Sequence, residues 1–267
     1  MTTLLADTWA LTQRWLIHLR RDRMSLMLGI IQPLILLTLA GPLLHHIVRD
    51  AADVEAVRAF MRDRFATEDY LTFLFSGVAV FTILVNSVLG GIPIVFDRET
   101  GFMDKVLASP ISRLAIPASR FVYVIIYSLM QVAIIGAVAL ALGVRPHGSA
   151  LLAVAALVGY GALLAAGISV LSLALAFVFP HHSIFFAITG FMLSPLLILS
   201  PTFVARDAMP AWMQTAALLN PMTHAIEPIR AAFLGADAAW LASAGGLLAF
   251  DAACFALAVV VLRRRLD

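Results

Sequence analysis

Few side chains in this 267-residue sequence are of the types that perform chemistry. Two histidine pairs, His45-His46 and His181-His182, each lie at the end of an apolar segment. A metal site needs several His, Cys or carboxylate groups that converge on one point, and we predict the two pairs on opposite sides of a membrane. We therefore interpret both pairs as polar caps of apolar helices and predict no metal site.

Nucleotide hydrolysis by a P-loop is excluded for this chain. The motif G-x-x-x-x-G-K-[ST] requires a lysine, and the only lysine, Lys105, follows Met-Asp and precedes Val. The sequence also lacks H-E-x-x-H, G-x-S-x-G and C-x-x-C, and Cys254 is its single cysteine. We predict that the chain is not an enzyme, holds no cofactor of its own and has no nucleic-acid partner.

Asp251 stands near the middle of an apolar segment. An acid at mid-helix in a bilayer costs about 2.5–3.5 kcal/mol, so we expect it to face the protein interior. No apolar segment carries a central Lys or Arg to pair with it. A structural hydrogen bond, a place on a substrate path and a proton-coupling role all stay open. Asn86, in an earlier apolar segment, raises the same question, and we name both as candidate substrate-path residues.

The composition indicates that these residues belong to a membrane protein. The chain is 62% hydrophobic and 13% charged, with a mean hydropathy of +0.97, whereas soluble domains are roughly 45–50% apolar and about 25% charged. Six apolar segments of about span length follow one another: Leu26–Ile47, Leu71–Val95, Phe121–Val144, Ala150–Phe179, Ile184–Leu199 and Leu241–Leu262. We predict an all-α membrane protein, a single domain over 1–267 with six transmembrane helices.

The connections differ in charge and in proline content. Residues 200–240 are rich in proline, half apolar and sparsely charged, which favours re-entrant or interfacial helices. The predicted order is an interfacial helix at 1–25, spans at 26–95 with an external loop at 48–70, a charged segment at 96–120, spans at 121–199, an external region at 200–240, the last span at 241–262 and a tail at 263–267.

The distribution of Lys and Arg predicts the orientation. Eleven of the 18 lie on the side that holds both termini and the segment 96–120, and seven lie on the other side. Positive charge close to spans favours the cytoplasmic side. We therefore predict that both termini and the segment 96–120 are cytoplasmic.

The segment before the first span predicts an amphipathic helix. At 100° per residue, one face carries Asp7, Arg14, His18 and Arg21, and the other carries Leu5, Trp9, Thr12, Leu16 and Leu19. Such a helix can lie on the cytoplasmic leaflet or pack against the bundle, and both arrangements stay open.

The stretch FDRETGFMDKVLASPISR, residues 96–113, carries six charges in eighteen residues. A short helix here would present Phe102, Met103 and Val106 beside charged neighbours, a pattern that suits docking in a groove with apolar anchors and a charged rim. Gly101 relaxes the backbone before the helix, and Pro110 ends it. A solvated helix that binds nothing is the alternative.

Two stretches resemble a known family. Residues 96–120, with Arg98, Glu99 and Gly101 followed by Ser-Pro-Ile-Ser-Arg, are similar to the cytoplasmic segment after the second span of ABC type-2 export permeases. LNPMTHAIEPIRAAFLG, residues 219–235, is similar to the segment before that family's last span. The resemblance covers the full length and is strongest to permeases of the daunorubicin-resistance type.

This resemblance implies a permease subunit in the bacterial inner membrane that pairs with a second permease, as a homodimer. Two copies of a separate ABC ATPase would bind ATP and magnesium, and the cargo would be an amphipathic drug, lipid-linked compound or glycan. A proton-coupled secondary transporter that uses Asp251 is the alternative. The residues assigned to ATPase coupling are Asp97, Arg98, Glu99, Gly101, Phe102, Met103, Lys105 and Val106. Those assigned to the external re-entrant motif are Asn220, Pro221, Thr223, Glu227 and Arg230.

Overall fold

The computed structural model describes residues 2–21, 23–49, 70–109, 111–112 and 114–266. Most of the predicted external loop 48–70 and the His45-His46 side chains lie outside this description. The described residues contain helices and no strand, which confirms the all-α class over these ranges. The helices are α1 (Thr2–Arg21), α2 (Arg23–Arg49), α3 (Tyr70–Leu89), α4 (Ile92–Glu99), α5 (Phe102–Leu107), α6 (Ala115–Ala141), α7 (Ala150–Val178), α8 (His182–Ile198), α9 (Ala211–Leu219), α10 (Pro221–Leu234) and α11 (Trp240–Leu266).

The sequence predicted six transmembrane spans, but fewer than six of the described helices are long and apolar enough to be spans. Within the described ranges, four helical stretches are long and apolar enough to cross a membrane: Tyr70–Glu99, Ala115–Ala141, Ala150–Val178 and Trp240–Val261. α1 and α2 meet at a bend of 72° and give a fifth if the pair is counted as one span. α8 is apolar but has only 17 residues, because its chain leaves the helix soon after Pro195.

α3 is the central helix of the bundle. It packs against α2, α6, α7, α8 and α10, and side chains around its whole circumference are buried, among them Phe73, Leu74, Ile83 and Leu84. A helix that is apolar on all sides belongs in such a position. α3 therefore links the elements at its two ends through one tightly packed core.

A break at Gly90-Gly91 separates α3 from α4, where the sequence had predicted one continuous span, Leu71–Val95. A Cβ on Gly91 would lie 2.6 Å from the carbonyl oxygen of Ser172 on α7, so only glycine fits at this crossing. Pro93 then stands in the first turn of α4, where its missing N–H costs no hydrogen bond.

α7 and α11 run side by side in the same direction. The Tyr160 hydroxyl donates to the carbonyl of Trp240 at 2.8 Å, and further along the pair Asp251 lies against Gly167. α7 begins where Gly148 contacts Gly235 and ends beside α4 and α5. α11 therefore leads toward the same end of the bundle as α1, α4 and α5.

Candidate functional site

An ion pair joins the N-terminal helix to α4. Arg14 of α1 donates from Nη2 to Oδ1 of Asp97 at 3.0 Å. The same guanidinium lies over the ring of Phe102, 4.2 Å from its centroid. α1 also packs along α6, where the Thr12 side chain is fully buried and Leu5 and Trp9 stay exposed. Of the two arrangements considered for α1, packing against the bundle is therefore present.

The next two residues of α4 bind the turn between α7 and α8. Arg98 donates from Nη1 to the carbonyl oxygen of Ala176 at 2.6 Å, one of the end carbonyls of α7 that lack a helical partner. Glu99 accepts the backbone N–H of His182 at 2.8 Å and contacts His182 Nδ1 at 2.8 Å. A carboxylate at the first residue of α8 is also favoured by the positive end of the helix dipole. Three consecutive charged residues thus bind three different elements.

α5 divides the predicted coupling residues into a buried and an exposed set. Gly101 has φ +68°, a left-handed conformation that favours glycine and lets the chain turn sharply before α5. Met103 is only 6% exposed and packs with Ile92, Ile94 and Phe185, although the sequence had placed it on the docking face. The exposed face of α5 consists of Phe102, Asp104 and Lys105, with Val106 half-buried.

Two side chains that the sequence analysis did not single out hold the Gly90-Gly91 break. Arg120 of α6 donates from Nε and Nη2 to the carbonyl oxygen of Gly90, at 3.1 and 2.6 Å. Ser172 of α7 accepts the Gly91 N–H at 2.9 Å and donates to the Val88 carbonyl at 2.5 Å. The Gly-Gly-x-Pro run at residues 90–93 was the available signal for this joint.

Asn86 and Asp251 lie in different parts of the bundle. Asn86 donates to Gln131 Oε1 at 2.8 Å and to Ser128 Oγ at 3.2 Å, and it lines a cavity between α1, α2, α3 and α6. Asp251 does not line this cavity. Its Oδ1 lies against Gly167 and has no hydrogen-bond partner among the described residues. The structure does not bring the two candidate substrate-path residues together.

The Asn-Pro pair begins α10 and closes the end of α8. Asn220 accepts the Met222 N–H at 3.0 Å as the N-cap, and Pro221 occupies the first helical position, where proline is favoured. The Asn220 amide also donates to the Leu196 carbonyl at 2.7 Å and the Leu199 carbonyl at 3.1 Å. One side chain therefore serves two helix termini.

Arg230 of α10 is a buried charge, only 8% exposed. It donates from Nε to Ser76 Oγ at 3.1 Å and from Nη2 to the Pro201 carbonyl at 2.6 Å, and it lies 3.4 Å from the centroid of the Phe73 ring. Burial lowers the pKa of Arg230 to about 9, so it stays charged at neutral pH. Arg230 fastens α10 to the first turns of α3.

Glu227 and Thr223, the remaining residues of the predicted external re-entrant motif, are less tightly held. Glu227 pairs with Arg206 at 3.3 Å, and burial raises the pKa of its carboxyl group, which the nearby arginines oppose. The hydroxyl of Thr223 is buried without a partner among the described residues. Thr202, in the turn after α8, lies against Gly77 of α3. The motif therefore lies at the Tyr70 end of α3, and the coupling residues lie beyond its other end.

Comparisons with known proteins identify the family. The family model described as ABC-2 type transporter matches residues 6–234. The chain is 33% identical over 240 residues to ycf38 of Cyanophora paradoxa, named as a transport permease, covering 89% of this chain and 77% of that protein. It is 34% identical over 229 residues to ycf38 of Porphyra purpurea, covering 85% and 74% of the two chains.

A bacterial relative carries the name of a drug-resistance transporter. The chain is 29% identical over 177 residues to the daunorubicin resistance ABC transporter permease protein DrrB1 of Streptomyces coeruleorubidus, covering 66% of this chain and 62% of that protein. These matches confirm the resemblance found in the two motifs. The chain belongs to the ABC-2 type transporter family and is a membrane transporter permease subunit.

Proposed function

We propose that this chain is the membrane-spanning subunit of an ATP-driven exporter that moves an amphipathic substrate out of the cytoplasm or the inner leaflet. ATP and magnesium bind to a separate ABC ATPase, present in two copies, and a second copy of the permease completes the assembly in a bacterial inner membrane. Both termini and the coupling segment are cytoplasmic in this proposal. The absence of a P-loop from the sequence is consistent with ATP hydrolysis on a partner chain.

The contacts of residues 97–99 carry the proposal. Asp97, Arg98 and Glu99 of α4 bind α1, the end of α7 and the start of α8, so a displacement of α4 acts on three parts of the bundle at once. The exposed face of α5 offers an aromatic ring and two opposite charges, which suits an apolar anchor with a polar rim. An ATPase bound there would move α4 and, through the Gly90-Gly91 break, the central helix α3.

Cross-linking tests the docking site. Cys254 is the only cysteine and is buried. Replacing it in a Cys254→Ala variant gives a cysteine-free background into which one engineered cysteine at a time can be introduced. We expect Asp104→Cys to cross-link to a P-loop ATPase subunit co-purified from native membranes. Leu151→Cys is the matched control, since it is exposed at the opposite end of α7. A Leu151 cross-link equal to that of Asp104, or none from Asp104 in a preparation that contains the ATPase, contradicts the docking site.

Transport gives the functional measurement. Phe102→Ala should lower ATP-dependent export at least ~10-fold if this ring is a hot-spot anchor, since such anchors contribute about 2 kcal/mol or more. Expression and melting temperature should stay nearly unchanged, because Phe102 is exposed and its contact with Arg14 is a cation–π pair at a surface site. Full export by this variant would contradict a coupling role for α5.

A secondary transporter driven by protons is the second candidate. The observation that favours it is the unpartnered Oδ1 of Asp251 within α11. Such carriers place ionisable groups near mid-depth on the substrate path. ATP-independent uptake or export driven by a pH gradient in proteoliposomes of the permease alone would support this candidate over the exporter.

A further inference from the structure

The cavity beside the Gly90-Gly91 break is lined mainly by apolar residues, with polar side chains distributed along it. Its volume is about 550 Å³, within the range of ~300–1,000 Å³ that is typical of small-molecule sites. Arg120 and Gly90 line one end, and Phe81 and Val85 line the other together with Thr82 and Asn86. Phe81 precedes Gly90 by nine residues, which corresponds to about 13 Å along a helix. A mainly apolar lining that includes one buried arginine matches an amphiphile rather than a purely polar or purely apolar ligand.

Arg120 places a buried positive charge in this wall. Its side chain is only 5% exposed; Nε and Nη2 donate to the Gly90 carbonyl, and Nη1 is buried without a hydrogen-bond partner among the described residues. The guanidinium lies 4.3 Å from the centroid of the Trp15 ring. Asp97 acts on it through space, but the Asp97 carboxylate is hydrogen-bonded to Arg14. A buried charge that lacks a paired counter-charge is costly, so an anion at this site would be stabilised.

The other lining residues agree with an anionic ligand. Among the described residues that line the cavity, none is an aspartate or a glutamate, and His18, Gln32 and Asn86 add neutral or basic polar groups. An arginine guanidinium matches the geometry of carboxylate and phosphate oxygens. Leu28 and Phe186 extend the apolar wall.

We infer that this cavity binds an amphiphile with an anionic phosphate or carboxylate headgroup, which Arg120 recognises while the alkyl part lies along Phe81 and Val85. Binding requires only the permease chain, so it stands whether or not the ATP-driven export proposed above is correct.

Binding of decyl phosphate to the detergent-solubilised permease tests the inference. Native mass spectrometry and the shift in melting temperature measure it, with decanol as the probe without charge and inorganic phosphate as the probe without a chain. We expect saturable binding of one decyl phosphate per chain, at least ~10-fold weaker in Arg120→Gln because charge-assisted hydrogen bonds are lost. Arg120→Lys should bind with intermediate affinity, because lysine keeps the positive charge but lacks the planar guanidinium with its paired N–H donors.

A second variant keeps Arg120 and fills the cavity. Val85→Trp should abolish binding, whereas Leu140→Trp, on an exposed surface of α6, should leave it unchanged. If Arg120→Gln does not fold, the comparison of Val85→Trp with Leu140→Trp decides whether the ligand binds in this cavity. Equal binding of decanol overturns the role of the charge, and equal binding of inorganic phosphate overturns the role of the alkyl chain. Undiminished binding by Val85→Trp overturns the assignment to this cavity.

Discussion

Arg14 and Asp97 lie 83 residues apart in sequence, yet their side chains meet at 3.0 Å. Because Arg14 also covers Phe102, the N-terminal helix touches the ring that we propose as the anchor for the ATPase. A partner that contacts Phe102 therefore acts on α1 as well as on α4. In the proposed exporter, the ion pair would make α1 a part of the coupling apparatus rather than a separate membrane anchor.

A double-mutant cycle measures this connection. Arg14→Ala and Asp97→Ala should each destabilise the protein, with a coupling energy of about 0.5–1 kcal/mol, since partly exposed ion pairs contribute little. Unfolding in mixed detergent micelles gives the free energies. Arg21→Ala with Asp97→Ala is the control pair, because Arg21 lies about 10 Å further along α1, and its effects should add. An additive Arg14 cycle would show that the pair contributes nothing.

Substitution at the α3–α4 break should be far more costly than substitution of an unconstrained helix glycine. Gly91→Ala places a methyl group 2.6 Å from the Ser172 carbonyl oxygen and should cost about 1–3 kcal/mol of unfolding free energy, as overpacking does. Gly159→Ala in α7 meets no atom within 4 Å and should stabilise by about 0.5–1 kcal/mol. Equal effects of the two substitutions would refute the close crossing.

Arg230 should contribute more to stability than Arg206. Arg230→Met leaves the carbonyl of Pro201 and the hydroxyl of Ser76 without their buried donor, and we expect a loss of about 2–3 kcal/mol. Arg206→Ala removes a partly exposed ion pair with Glu227 and should cost less than about 1 kcal/mol. Melting curves of the two purified variants measure the two losses of stability. A larger loss for Arg206→Ala than for Arg230→Met would contradict the role of Arg230 in holding α10 against α3.

Asp251→Asn separates the two transport mechanisms. Asparagine keeps the size and hydrogen-bonding capacity of the side chain but carries no exchangeable acidic proton. We expect ATP-dependent export to persist within about twofold, because Asp251 lies against Gly167 of α7 and does not line the cavity. Loss of export from a variant with normal yield and melting temperature would instead favour proton coupling.

The helical class and the two motifs were predictable because they depend on local pattern. Long apolar segments indicate helices in a bilayer, and the Asn-Pro pair indicates a helix start by itself. The break in α3 was missed since apolar character continues through Gly90-Gly91. Its cause is the close approach of Ser172, 81 residues away, which no local pattern contains.

The contacts of the coupling segment were not predictable for the same reason. Asp97, Arg98 and Glu99 were expected at a partner surface, whereas each binds an element more than 75 residues distant in sequence. A charged residue in a short loop has the same local pattern whether its partner is in another chain or in its own. Arg120 entered the sequence analysis only as one positive charge, although it is the residue that holds Gly90.

The length of α8 has a consequence for the surrounding lipid. Its 17 residues extend about 25 Å at 1.5 Å per residue, less than the ~30 Å hydrocarbon core of a typical bilayer. If α8 crosses the bilayer, thinning of the adjacent membrane is one way to relieve this mismatch. In the proposed exporter, a thinner membrane would shorten the distance that an amphiphile travels between leaflets. Acyl-chain length should therefore tune transport, with faster turnover in bilayers of shorter lipids.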